Sequence, residues 1–151
     1  MGTVLAIADD NTAIIQRVPM NRHVDWSKFT IVRRDGSEAT VNFTTVLGCG
    51  PALVLNGKID VAPGDEGFRQ AKIFNAVQRM GVGITANGEL MLVHSKKGVT
   101  FGKFADVMKG LGCEDAMNLD AGASLYMYYR GKTVVAAGRR LTNILEVSVD
   151  K

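Results

Sequence analysis

Short apolar runs bounded by turn signals recur along most of the chain, a pattern that predicts strands. Residues 3–8 and 13–18 read as two apolar strands around a turn at Asp9-Asp10-Asn11. Residues 21–28, which include Trp26, are polar and irregular. Residues 29–33 and 38–43 read as a hairpin around Arg34-Asp35-Gly36, and residues 46–51 as a glycine-rich bend. A strand over 52–55 follows, closed by Asn56-Gly57, a strong two-residue hairpin signal. Residues 61–72 form a polar loop with a helical turn, and residues 80–85 and 89–94 flank Asn87-Gly88 as a second hairpin.

The pattern changes once. Phe101, Phe104, Ala105, Met108 and Leu111 fall at helical spacing behind Thr100, a residue suited to capping free N–H groups, and Gly110 and Gly112 stand ready to end the helix. Residues 115–119 return to strand. Residues 125–129 and 133–136 flank Arg130-Gly131-Lys132, and residues 143–149 read as a last strand. The pattern predicts a single α+β domain over residues 1–151, with a mixed or antiparallel sheet and one or two packed helices.

Composition narrows the function classes. A hydrophobic share of 46% with 22% charged residues is that of a chain with a real core. The net charge of +3 is scattered rather than massed, and no helix-turn-helix, zinc-finger or RNA-recognition pattern occurs, which argues against nucleic acid as a partner. A modest positive field suits an anionic, phosphate-bearing substrate. Cys49 and Cys113 lie far apart and His23 and His94 lack ligand spacing, so neither a metal nor another cofactor is expected; the cysteines read as small buried hydrophobes. No apolar stretch reaches membrane-spanning length, the first residues lack the pattern of a signal peptide, and no oligomeric state is specified.

The chemistry concentrates where the apolar run Ala116-Met117-Asn118-Leu119 meets Asp120. The next residues, Ala121-Gly122-Ala123-Ser124, are all small, so a ligand can approach the backbone and consecutive N–H groups can form a nest for an anion. On these residues alone, an ordinary tight turn capped by Asp120 explains the segment equally well.

Four segments in order resemble the phosphodiester glycosidase family: Gly48-x-Gly50-Pro51-x-Leu53-Val54-x-Asn56-Gly57-Lys58; Arg79-Met80-Gly81-Val82-Gly83-Ile84-Thr85; Asn118-Leu119-Asp120-x-Gly122-x-Ser124 with Tyr128-Tyr129-x-Gly131-Lys132; and Arg140-x-x-Asn143. The resemblance spans residues 46–149, leaving 1–45 as a β-rich N-terminal portion. It implies a hydrolase cleaving the glycosidic bond of sugar-1-phosphodiesters in glycans or cell-envelope polymers, outside the cell or in its envelope. The alternative is a module that binds such sugar phosphates without cleaving them.

Under that resemblance Asp120 is the acid, base or nucleophile and Arg79 a phosphate clamp, since a guanidinium matches phosphate oxygens bidentately. Glycoside cleavage ordinarily uses two carboxylates; Asp60, Asp65 and Glu66 are candidates for the second, with Glu66 preferred. Asn118, Gly122, Ser124, Gly50, Arg140 and Asn143 are expected to bind substrate. Two departures accompany the match. Ala121 and Ala123 stand where the family has glycine, and the family's Asn-Gly-Gly-Phe-Phe-like segment is missing.

Overall fold

The computed structural model describes residues 1–19, 29–32 and 36–148. The irregular stretch at 21–28, with Trp26, and the turn residues Arg34 and Asp35 lie outside the described residues. The chain forms three layers around one central sheet.

The first layer holds β1 (Gly2–Ala8), β2 (Ala13–Val18) and β5 (Phe43–Cys49) in the order β2-β1-β5, antiparallel throughout. A hairpin of β3 (Phe29–Val32) and β4 (Glu38–Val41) adjoins it, and Ile31 packs with Ala6, Ala8 and Phe43. The run at 46–51 is therefore not a bend over its length: most of it continues β5, and the chain turns only at Gly50-Pro51. Gly48 sits there as an ordinary strand residue with nothing near its missing side chain.

The central sheet runs β7-β6-β10-β8-β9, from β6 (Ala52–Leu55), β7 (Lys58–Ile59), β8 (Met80–Thr85), β9 (Leu90–His94) and β10 (Cys113–Asn118). Asn56-Gly57 makes the β6–β7 turn with φ values of 50° and 71°, both left-handed, as the tightest hairpins demand. Leu5 and Ile15 of the first sheet pack against Val82, Ile84 and Met117 on one face of the central sheet.

The helix α1 (Phe101–Gly110) covers the other face. Thr100 Oγ1 accepts from the Lys103 N–H at 3.3 Å, the expected cap, and Gly112 ends the helix at φ 88°. Phe101, Phe104, Ala105 and Met108 are buried as the spacing requires, but Leu111 falls beyond the last turn and is exposed. Glycines at alternate positions of β8 let the helix sit close. A Cβ at Gly81 would fall 2.9 Å from the Phe104 ring, and one at Gly83 3.0 Å from Met108 Cε and 2.5 Å from Cys113 Sγ of β10. Truncating Phe104 to alanine in so tight a layer would cost about 3–5 kcal/mol.

Past the central sheet come a short 3-10 turn (Gly122–Ser124) and the hairpin of β11 (Met127–Tyr129) and β12 (Lys132–Val135). The strand expected over 143–149 does not form within the described residues. Residues 143–148 pair with no strand, and Ile144 and Val147 stay exposed although Leu145 packs against the core.

Candidate active site

Alternation along β8 fixes the site. Residues 79, 81 and 83 share one face, the face that α1 covers, so Arg79 is carried to the helix N-terminus just as the strand begins. Asn118, the last residue of β10, lies opposite Gly81 on that same face. One residue on, the Leu119 N–H donates to the Met80 carbonyl at 2.8 Å, which continues the ladder toward Asp120 and Arg79. A cleft of about 320 Å³ opens here, lined by Gly50, Arg79, Asn118, Asp120 and Gly122 together with Cys49 and Lys72. Its remaining wall is apolar, supplied by Phe68, Ile73, Val77, Phe101, Leu119 and Ala121.

Arg79 is 1% exposed. Its Nε donates to the Val99 carbonyl at 2.8 Å, and its Nη2 to the carbonyls of Ile73 (2.8 Å) and Asn75 (2.9 Å). The guanidinium carbon lies 3.6 Å from the centroid of the Phe101 ring. Among the described residues no carboxylate lies within ion-pairing distance of it. Burial pulls its pKa below the ordinary guanidinium value, yet an arginine keeps its proton at neutral pH. Three carbonyl dipoles and the Phe101 ring face solvate this charge, but no carboxylate neutralises it. With Nε and Nη2 committed only Nη1 is left to meet an anion, so the bidentate clamp expected of the whole guanidinium is reduced to that one nitrogen.

Asp120 stands at the opposite extreme, with its side chain 67% exposed. One oxygen accepts from the Ala121 N–H at 2.9 Å, and the other lies 3.5 Å from Arg139 Nη2. Arg139 Nε also donates to Ser124 Oγ at 2.7 Å. The loop carrying Arg139 is pinned to the turn by the Gly138 N–H, which donates to the Ala123 carbonyl at 2.8 Å. Arg139 and not Arg140 is thus the arginine brought to Asp120. Arg140 and Asn143 are exposed, and neither lines the cleft; Ser124 and Arg139 are outside its lining too and join the site only beside Asp120.

Ala121 takes φ −131° and ψ −177°, extended backbone that any residue adopts. The left-handed position is Gly122, φ 64°, where glycine is retained. The alanine at 121 therefore strains nothing.

Glu66 is placed elsewhere. Its side chain is fully buried and does not line the cleft. Oε2 accepts from Thr3 Oγ1 at 2.6 Å; Oε1 accepts from Arg17 Nε at 3.0 Å and from the Ala52 N–H at 2.9 Å. Arg17 also reaches Asp60 at 2.9 Å. Burial alone would lower the Arg17 pKa, but its bonds and charge pairing with Glu66 and Asp60 outweigh that and raise it. The cluster ties β1 and β2 to the residues just after Gly50-Pro51, so Glu66 supports the cleft wall from behind.

Cys49 is more than the buried hydrophobe its composition suggested. Both cysteines are free, but Cys49 lines the cleft while Cys113 lies in the core under α1. Burial raises the Cys49 pKa and the Asp120 charge adds to it, against hydrogen bonds from the backbone at Gly50 and Asp120. The signal for Cys49 was its place inside the Gly-x-Gly-Pro segment. Lys72 and Phe68 come from an aperiodic loop and left none.

Among the described residues no group of three His, Cys, Asp or Glu side chains is placed to hold a metal ion, and no helix is long and apolar enough to cross a membrane.

A family model described as phosphodiester glycosidase matches residues 2–148. The match reaches back through β1–β5, so the N-terminal portion belongs with the rest rather than standing outside a region 46–149. The fold is similar to the catalytic domain of zebrafish N-acetylglucosamine-1-phosphodiester α-N-acetylglucosaminidase, auto-inhibited by its pro-peptide, with a TM-score of 0.61 at 17% identity over 88% of this chain and 44% of that one. It is also similar to a hypothetical protein from Synechocystis, with a TM-score of 0.58 at 18% identity over 91% of this chain and 31% of that one. The chain spans less than half the length of either structure. No curated protein matches it.

Proposed function

The chain belongs to the phosphodiester glycosidase family, matched over residues 2–148, and from that premise we propose that its cleft binds sugar-1-phosphodiesters and hydrolyses the bond between the anomeric carbon and the phosphate. The observation that carries the reading is the buried guanidinium of Arg79, uncompensated among the described residues, sharing one cleft with the exposed carboxylate of Asp120. The diester phosphate supplies the missing countercharge and Lys72 a second cation beside it. Asp120 serves the anomeric carbon, as nucleophile or as base toward water. By either route the bond from that carbon to the bridging oxygen breaks, the phosphate monoester departs with the electron pair, and a water-derived hydroxyl ends on the sugar. Phosphate leaves without strong acid assistance, so Glu66 is not needed as a second carboxylate. Arg139, anchored on Ser124 Oγ, stands 3.5 Å from the Asp120 carboxylate.

That Asp120 is the one carboxylate lining the cleft among the described residues favours a second reading, in which the domain binds sugar phosphates without cleaving them. One experiment separates the two. The protein is incubated with methyl phosphodiesters of several sugars, N-acetylglucosamine first, while free sugar is measured by mass spectrometry and binding by calorimetry. Release of sugar, reduced on the order of 10²–10³-fold by Asp120→Asn and by Arg79→Met, supports hydrolysis. Binding with no release supports the binding module. Neither binding nor release from any diester sinks both.

A further inference from the structure

Asn118 holds a second confined polar group of the cleft, besides that of Arg79. It is 4% exposed, and its backbone N–H is committed to the Pro51 carbonyl at 2.9 Å. Its side-chain Nδ2 donates to the Gly50 carbonyl at 3.2 Å and to the Leu119 carbonyl. Its Oδ1 is buried and has no hydrogen-bond partner among the described residues. The amide cannot be turned over to relieve this, because Oδ1 would then face two carbonyl oxygens, acceptor against acceptor. The free atom is therefore an acceptor of fixed position on a residue lining the cleft.

A buried acceptor without a donor is disfavoured, and a site that carries one discriminates strongly for ligands that bring the donor. The chemistry of the proposed substrate says which part can do so. A phosphodiester is acceptor-only at neutral pH, so the phosphate cannot satisfy Oδ1. The Asp120 carboxylate, when ionised, cannot either. On a glycosyl phosphodiester the donors are the hydroxyl groups and any amide N–H of the sugar.

We infer that Asn118 is a sugar-specificity residue of the cleft: its Oδ1 accepts a hydrogen bond from one hydroxyl or amide N–H of the bound sugar, while Arg79 takes the phosphate. The substrate class is thereby narrowed to sugars that present a donor at that one position, and sugars deoxygenated there are rejected. Glu66 underlies this from behind. It holds Ala52, two residues beyond the Gly50 carbonyl that fixes the Asn118 amide.

The inference rests on the cleft binding glycosyl phosphodiesters, and its test keeps the two apart. The best methyl phosphodiester from the panel above is compared with each of its singly deoxygenated analogues and with the corresponding fluoro analogues, by dissociation constant and by kcat/KM. One deoxy analogue should bind and react on the order of 10- to 100-fold worse than the parent. Its fluoro counterpart should not recover, because fluorine cannot donate. In Asn118→Ala that ratio should collapse toward one while the ratios at other positions persist. A merely structural asparagine would slow every analogue alike and leave the ratio intact, and that result overturns the inference while hydrolysis or binding stands. So does recovery by the fluoro analogue, or uniform tolerance of every deoxygenation, in the unsubstituted protein; these measurements decide the matter even where Asn118→Ala fails to fold. If no diester is bound or cleaved, the cleft reading falls and this inference with it.

Discussion

Asp120 and Ser124 are bridged by a single guanidinium: Arg139 donates to Ser124 Oγ at 2.7 Å and stands 3.5 Å from Asp120 Oδ2. Both charged groups are more than half exposed, so the ion pair itself contributes little to stability. Its value is positional. It restrains the carboxylate and leaves a cation beside the position a substrate phosphate or sugar oxygen would take. Arg139→Ala is expected to change folding stability by no more than about 0.5 kcal/mol in urea denaturation, and to reduce kcat/KM on the best diester by roughly tenfold or more. Arg139→Lys should recover part of the activity, since a point charge remains but the two-point bridge does not. Arg140→Ala should leave kcat/KM within about twofold. Equal losses in both alanine variants would remove the distinction between the two arginines.

Glu66 is the sharper case, because a catalytic and a structural carboxylate fail differently. Its side chain is fully buried and accepts three hydrogen bonds, one of them from a charged arginine. Glu66→Gln replaces one accepting oxygen with an N–H₂ group that must face a donor, and it leaves Arg17 short of a countercharge. The expected loss is about 2–4 kcal/mol, seen as a lower denaturation midpoint at unchanged slope. The folded fraction should keep the pH profile of kcat. A variant of full stability with abolished turnover would return Glu66 to the chemistry.

Most of the fold was legible because its strands carry their own punctuation. The short apolar runs of β1, β2 and β8 and the left-handed demand of Asn56-Gly57 required no tertiary information. Two errors share one cause. Glycines at 48 and 50 read as a bend, yet Gly48 lies in a strand whose pairing with β1 sets its conformation. Residues 143–148 alternate as a strand should, but no edge receives them within the described residues. In both, the partner decides, and a partner is invisible in a local pattern. The site divides the same way. Asp120 and Asn118 announce themselves at a strand end beside small residues, whereas the choice of Arg139 over Arg140 depends on how Gly138 docks against Ala123.

The two thiols give a stability signature in alkali. Burial raises the pKa of Cys49, with the Asp120 charge adding, and burial raises that of Cys113. A group whose folded pKa lies above its unfolded value contributes stability that is complete below the unfolded pKa and is lost as pH rises through the folded one. The unfolded value is about 9, so both contributions should hold at neutral pH and fade above that point. Denaturation midpoints measured from pH 7 to 10.5 should therefore fall less steeply in Cys49→Ala than in the parent at the alkaline end. Iodoacetamide should label Cys49 more slowly than a free thiol at pH 8. Rapid labelling at pH 7 would contradict the raised value.

The alanine at 121 and the glycine at 122 make opposite demands on the backbone, and this decides what restoring the family's paired glycines would do. Ala121 is extended and unstrained, so Ala121→Gly relieves nothing in the folded state and only frees the unfolded chain; it should cost about 0.4–1 kcal/mol. Gly122 sits at φ 64° with open space around it, so Gly122→Ala meets no clash but must hold a side chain in the left-handed region, at about 1–2 kcal/mol. Thermal denaturation checks both values. Turnover discriminates further, since Ala121 also lines the cleft. If its Cβ is only a wall, kcat/KM in Ala121→Gly stays within about twofold of the parent. If that Cβ fills space the sugar requires, the same substitution raises kcat/KM tenfold or more, and the departure from the family sequence at 121 becomes a determinant of activity.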